Sequence, residues 1–251
     1  MALRIAVVLL LGLLPTWSAA AQTASAEKVS AKTWVGRPQE IEEALRTEEC
    51  VSMEVFAPSN LSRCTFRSGG PVARMAWRSP PSGPDRGFRE RYKTEIAAYE
   101  LDKLLKMDMV PPTVERQIQG KAGRAQLWVE NTVDATGPGP TDAESRTHWD
   151  AQLTRMAMFD NLIGNRERNK RNMLRDDAWN LILLDHSRAF GLGNQLFHKM
   201  DRIDDGYWAK IEALTRSQLD AALRAWLDAS EIDAILERRE TMRTAIKLLR
   251  R

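Results

Sequence analysis

The fold turns on one stretch, FDNLIGNRERNKRNMLRDDAWNLILLDHSRAFG, residues 159–191. An apolar-periodic segment ends at Ile163, and a polar loop follows from Gly164 to Lys170. The runs NMLR and NLILLDH then flank Asp176-Asp177-Ala178-Trp179, the pattern of a small hairpin. Asn172 leaves the loop into the first strand, and Asp185, thirteen residues later, ends the returning one. Their side chains can therefore converge at one end of the hairpin. A carboxamide oxygen and a carboxylate are hard oxygen ligands of the kind Mg²⁺ takes, completed by water and phosphate oxygens. Glu167, five residues before Asn172, lies where a base could orient a substrate hydroxyl. Loop acid, loop Asn and strand-end Asp, in that order, are the parts of a phosphotransfer site.

Upstream, the pattern is that of a sheet. Residues 39–49 read as a short helix, and 50–56, 61–67 and 71–78 as strands, with Ser68-Gly69-Gly70 turning between the last two. PPSGPDRG (80–87) is a loop. Residues 88–106 form a helix whose apolar face carries Tyr92, Ile96, Tyr99, Leu101, Leu104 and Leu105. Pro111-Pro112 ends that element, and TVERQIQ and RAQLWVEN follow as two more strands. The expected fold is therefore an antiparallel sheet with one helix inserted after its third strand.

TVDATGPGPTDAESR (132–146) is the candidate linker, and the chain after it is mainly helical. A helix is expected over 147–163, with others around YWAKIEAL, SQLDAALRAWL and EIDAILERRETMRTAIKLLRR. The last is basic and amphipathic, and is expected to pack on its own lobe. The fold class is α+β: a β-rich lobe at 50–131, preceded by a leader and short helix at 22–49, and a helical lobe at 147–251.

Composition limits the function classes. The 251 residues suffice for one large domain or two small lobes. Lys and Arg number 37 against 34 Asp and Glu, and the basic residues are scattered, so no nucleic-acid footprint is present. Three His and two Cys without ligand spacing leave no zinc motif. Arg4, the apolar run Ile5–Leu14, Pro15 and the small residues Ser18 to Ala21 read as a secretory signal spanning 1–21, cut before Gln22. As a helix the ten-residue run spans only about 15 Å, half a bilayer core, so no stable membrane anchor is expected after cleavage. The expected location is periplasmic or secreted. There Cys50 and Cys64, on neighbouring strands, either pair or remain as buried thiols.

GNRERNKRNML and LLDHSRAFG, within 164–191, resemble the G-N-x-D-R-x-x-x-N…D-[HN]-[GS] catalytic segment of atypical kinases. That group includes the phosphoinositide 3-/4-kinases, the HipA-type bacterial kinases and the secretory-pathway protein kinases of the Golgi casein kinase type. YKTEIAAYELDKLLKMDMVPPTVER (92–116) is similar to the secretory group, where an E-x-A-A-x-x-L-D helix precedes V-P-P-T-V. The motifs span roughly residues 60–195, and their order, rather than any one of them, makes the likeness specific.

The resemblance implies a two-lobed, protein-kinase-like fold. Between the lobes it would bind ATP or another nucleotide with Mg²⁺ or Mn²⁺, and transfer phosphoryl to a hydroxyl of a protein or small-molecule substrate. It implies roles for matched positions. Glu95 matches the helix acid that pairs with the third-strand Lys, and Arg78 falls where that Lys should be, so the two are expected to approach each other. Glu167 falls at the loop Asp, while Asn172 and Asp185 match the metal ligands. QLWVEN resembles the hinge strand with the adenine contacts, which adds Glu130 to Arg78, Glu95, Asn172 and Asp185 as nucleotide-site residues. Pro58, Ser59 and Asn60 replace a glycine-rich phosphate flap. Arg78 exchanges a compact ammonium for a planar fork. Glu167 moves its carboxylate by about 1 Å, a displacement that can cost ~10²-fold in rate. A pseudokinase that binds without turnover is the alternative these departures imply. Asp160 and His186 read as structural.

Overall fold

The computed structural model describes residues 30–56, 61–79 and 91–251. The expected signal segment, the Pro58-Ser59-Asn60 flap, the 80–87 loop and the first residues of the 88–106 helix lie outside the described residues. Five strands form one antiparallel sheet: β1 (Cys50–Phe56), β2 (Leu61–Phe66), β3 (Arg74–Arg78), β4 (Thr113–Ile118) and β5 (Lys121–Leu127). Their order is β1-β2-β3-β5-β4. Alternation in β2 and β3 turns Cys64, Phe66, Met75 and Trp77 inward. The Cys50 and Cys64 sulfurs form a disulfide across β1 and β2, with the Cα atoms 5.7 Å apart.

Local chemistry sets where the strands begin. The third strand starts at Arg74 rather than at 71, because Pro71 has no amide hydrogen to give a ladder. The fifth starts at Lys121, three residues earlier than the sequence pattern suggests, because Gln119 and Gly120 both have positive φ (50° and 74°). Two positive φ values make the tight hairpin turn that pairs Ile118 directly with Lys121.

Helix α1 (Pro38–Thr47) buries Ile41, Ala44 and Leu45 on the sheet side and packs against β4. Helix α2 (Tyr92–Leu105) is inserted between β3 and β4. Ala97, Ala98, Tyr99, Leu101 and Leu105 on α2 join the core of the helical part. That part comprises α3 (Ala143–Ile163), α4 (Asp205–Glu212), α5 (Arg216–Leu223) and α6 (Ala229–Leu249). The helix α3 begins four residues before the expected 147, inside the linker, because the Asp142 carboxylate accepts the Ser145 amide at 2.8 Å and caps it. Ile232, Ile235, Met242 and Ile246 of α6 are buried in the same core. Among the described residues no helix is long and apolar enough to cross a membrane.

A second, three-stranded sheet joins β6 (Val133–Asp134), β7 (Met173–Arg175) and β8 (Leu181–Leu183). The last strand serves two cores at once. Leu181 and Leu183 pack with the helices, while Ile182 points into the core of the large sheet. The Leu183 amide also donates to the Met109 carbonyl at 2.8 Å. The β7–β8 hairpin is thus fixed at the junction of sheet and helices, and its open end carries the candidate site.

Candidate functional site

A cavity of about 600 Å³ lies between the large sheet and the hairpin. Ala76 and Arg78 from β3, Arg124 and Gln126 from β5, and the segment Leu127 to Thr132 form one side. Arg171, Asn172, Leu174, Leu184 and Asp185 form the other, with Asp134 at the small sheet. Apolar Leu61, Ala76, Leu174 and Leu184 alternate with charged groups, as in a slot for a ligand with a flat body and an ionic tail.

Asn172 and Asp185 come together because the hairpin ladder continues past its last formal pair. The Leu184 amide donates to the Asn172 carbonyl at 2.9 Å, which leaves Asp185 as the next residue beside it. Arg168 fastens both strand ends, donating to the carbonyls of Asn172 (3.0 Å) and Leu184 (2.7 Å). Its other nitrogens donate to Asp160 at 2.8 and 3.0 Å. Burial alone would raise the Asp160 pKa, but the Arg168 charge and hydrogen bonds hold it below the ordinary carboxylate value. Asp160 is therefore the structural anchor of the loop. Asp185 has φ 56°, a left-handed conformation that Asp tolerates better than most residues. One of its oxygens accepts the Ser187 hydroxyl at 2.7 Å.

The turn after Asp185 is held from α2. The His186 amide donates to Glu95 Oε2 at 3.0 Å. The His186 ring is fully buried, and its Nε2 accepts from Arg168 at 2.8 Å. Since Arg only donates, the His186 proton sits on Nδ1, which faces Glu95 Oε2 at 3.8 Å. Glu95 Oε1 lies 3.4 Å from Arg124 Nε, with both side chains buried. Desolvation would push the Glu95 carboxyl up, but Arg124 and then His186 outweigh it and hold the pKa at about 2.

That geometry corrects one expectation. The cation that meets Glu95 is Arg124 of β5, and not Arg78 of β3. The two arginines are direct partners in the antiparallel register. They therefore occupy neighbouring places on one face of the sheet. Both line the cavity, whereas Glu95 does not and instead stands behind Arg124. Glu130 lines the cavity, and Arg74 grips it through Nε at 2.7 Å and through Nη2. Beside it the Trp128 ring has the guanidiniums of Arg63 (5.2 Å) and Arg74 (5.6 Å) over it.

Glu167 is placed elsewhere. It does not line the cavity, and its half-exposed carboxylate accepts from Arg188 at 2.7 Å. Arg124, Arg171 and Asp134 are cavity residues that the sequence pattern does not reveal. For Arg124 a signal existed, since it opens the RAQLWVEN run, but only the strand register sets it opposite Arg78.

No protein-family model and no curated sequence matches the chain. Solved structures do. Hydra Fam20 with sugar aligns at a TM-score of 0.60 and 13% identity, over 84% of this chain and 88% of its own. The Golgi casein kinase with Mn/ADP bound aligns at 0.54 and 14%, over 85% and 81%. The Helicobacter pylori proinflammatory kinase CtkA aligns at 0.52 and 10%, over 78% and 93%. At such identities the likeness speaks for the architecture alone, and on that architecture these neighbours agree. The cavity between the sheet and the Asn172–Asp185 hairpin belongs to a kinase-like fold.

Proposed function

We propose that this chain is an exported, kinase-like phosphotransferase that binds ATP and Mg²⁺ or Mn²⁺ in the junction cavity and transfers phosphoryl to a hydroxyl. The observation that carries the reading is the joint presence of Asn172 and Asp185 in one cavity with Arg78 and Arg124. A carboxamide and a carboxylate are the donor set of a hard divalent cation that keeps phosphate and water among its ligands. Asn172 and Asp185 would hold the ion, which when bound neutralises phosphate charge.

The chain's own residues supply the rest. The two arginines on the sheet face attract the phosphates, and Glu95 keeps Arg124 in place from behind. The Leu127–Asn131 segment, with Glu130, borders the part of the cavity suited to a base. Apolar Ala76, Leu174 and Leu184 would flank its flat faces. Export is supported by the signal-like N-terminal run and by the Cys50–Cys64 disulfide, which persists in oxidising compartments. The lobe boundaries 50–131 and 147–251 belong to the same reading.

A second reading, a nucleotide-binding pseudokinase, draws on Glu167. Its carboxylate is engaged by Arg188 and stands outside the cavity, so the loop acid is not poised over a substrate hydroxyl. Transfer from γ-labelled ATP to the protein and to hydroxyl-containing peptides, with Mn²⁺ and with Mg²⁺, separates the two. Label incorporation that is lost in Asp185→Ala supports the phosphotransferase. Tight ATP binding without incorporation or hydrolysis supports the pseudokinase.

A further inference from the structure

A second cavity, of about 200 Å³, lies beside the cleft, enclosed by the 137–139 segment, α3, β7 and the β7–β8 turn. The residues of β7 divide between the two: Met173 and Arg175 line this cavity, and Leu174 lines the cleft. Alternation along a strand requires that division. Pro138, Trp149, Met173 and Trp179 give the cavity apolar walls, and Lys170 and Arg175 bring charge to it. The Trp149 and Trp179 rings meet edge to face, 5.6 Å apart and at 73°.

Trp179 is held there against its own backbone preference. Its φ is 62°, a left-handed conformation that a bulky side chain rarely adopts. The Trp179 amide donates to the Asp176 carbonyl at 3.1 Å, and the Trp179 carbonyl accepts from Gln152 Nε2 at 2.8 Å. Gln152, buried on α3, also accepts the Leu181 amide at 2.8 Å, which ties the turn to β8. Strain that the surroundings enforce in this way is a mark of functional positions. Arg175 lies over the Trp179 face, its Cζ 4.1 Å from the ring centroid. No carboxylate is among the described lining residues. Neither Lys170 nor Arg175 has an ion-pair partner among the described residues.

We propose that this cavity binds a small aromatic carboxylate, with its ring among Pro138, Trp149 and Trp179 and its carboxylate on Lys170 and Arg175. Flat apolar walls take a ring in stacked or edge-to-face contact. A few charged groups at an otherwise apolar pocket fix a ligand's orientation, and here both are cations. The volume lies below the roughly 300 Å³ at which drug-sized ligands begin, which suits one ring with a short acidic tail. Four separate segments enclose the space, so it is a bounded pocket rather than a groove that a peptide could follow.

Ligand-observed NMR titration of the full chain with phenylacetate, and with its uncharged analogue phenylacetamide, tests the site. The proteins compared are the wild type, Lys170→Gln/Arg175→Gln and Trp179→Gly. Glycine takes the φ of 62° without strain, so Trp179→Gly removes the indole and spares the turn. The wild type is expected to bind the acid roughly fivefold or more tighter than the amide. The Lys170→Gln/Arg175→Gln variant should bind acid and amide alike, and Trp179→Gly should weaken both. Circular dichroism and thermal melts show that each variant is folded. Equal wild-type affinity for acid and amide overturns the proposal. So does an acid affinity that neither variant changes, or no acid binding by the wild type. Tighter binding of N-acetyl-Phe-Glu amide than of phenylacetate overturns the assignment to a small acid.

Discussion

Arg124 Nε stands 3.4 Å from Glu95 Oε1, and both side chains are shielded from water. This pair links the sheet to α2, and through the His186 amide it links α2 to the turn that carries Asp185. One buried contact therefore positions both sides of the cavity.

Removing one member should leave an uncompensated buried charge. Arg124→Gln is expected to cost ~3–5 kcal/mol in urea unfolding, and Glu95→Gln/Arg124→Gln to recover part of that loss. The acid limb should respond as well. The folded Glu95 pKa, at about 2, lies below its ordinary 4.5, so its contribution is present above pH 4.5 and is lost as pH falls toward 2. In Glu95→Gln that part of the acid dependence should vanish. An unchanged acid limb would contradict the ion pair.

Gly123 is predicted to be intolerant of even one methyl group. A Cβ there would lie 2.4 Å from the Arg78 carbonyl oxygen, a backbone atom that cannot swing aside. Gly123→Ala should cost ~1–3 kcal/mol as overpacking. It should also weaken the ATP-induced rise in Tm, because the strain falls between the two strands that present Arg78 and Arg124. Thermal melts with and without ATP check both effects.

Asp102 works in the opposite pH direction from Glu95. Burial pushes its carboxyl up to about 7, against the hydrogen bonds it accepts from the Val110 and Met109 amides at 2.8 and 2.9 Å. A folded pKa above the ordinary 3.8 means that the native state holds the proton more tightly. This contribution to stability is therefore full at low pH and is lost as pH rises from about 4 to about 7. Asp102→Asn should cost ~1–3 kcal/mol, since its amide nitrogen cannot accept the Asp108 amide that Asp102 now accepts. The difference in stability between wild type and Asp102→Asn should shrink as pH rises across that window. A difference that stays constant with pH would contradict the assignment.

The sequence made the architecture legible where periodicity and turn residues agreed. Alternation in LSRCTF and RMAWR, and the polar break at Gly164–Lys170, led directly to strands and hairpin. The Asn172–Asp185 convergence was readable because a hairpin has only one open end. The Glu95 partner was not, since Arg78 and Arg124 are adjacent only through the β3–β5 register, a pairing between strands far apart in the chain. Nor was the fate of Glu167 legible. Its partner Arg188 is twenty-one residues away, beyond the hairpin, and the loop's own arginines 166 and 168 are the neighbours that sequence suggests. Arg168 turned inward to Asp160 instead, because a fully buried carboxylate demands a cation.

The central claim is that Asn172 and Asp185 hold a divalent ion with a nucleotide in the junction cavity. Its most direct measurement is the shift in Tm on adding ATP with Mn²⁺ or Mg²⁺, compared with ATP and EDTA, for wild type, Asn172→Ala and Asp185→Ala. The account predicts a metal-dependent rise of several degrees in wild type. It predicts a smaller rise in Asn172→Ala and none in Asp185→Ala, with all three proteins folded in the absence of ligand. A wild type with no metal-dependent response to ATP, or an Asp185→Ala variant that responds as the wild type does, would contradict it.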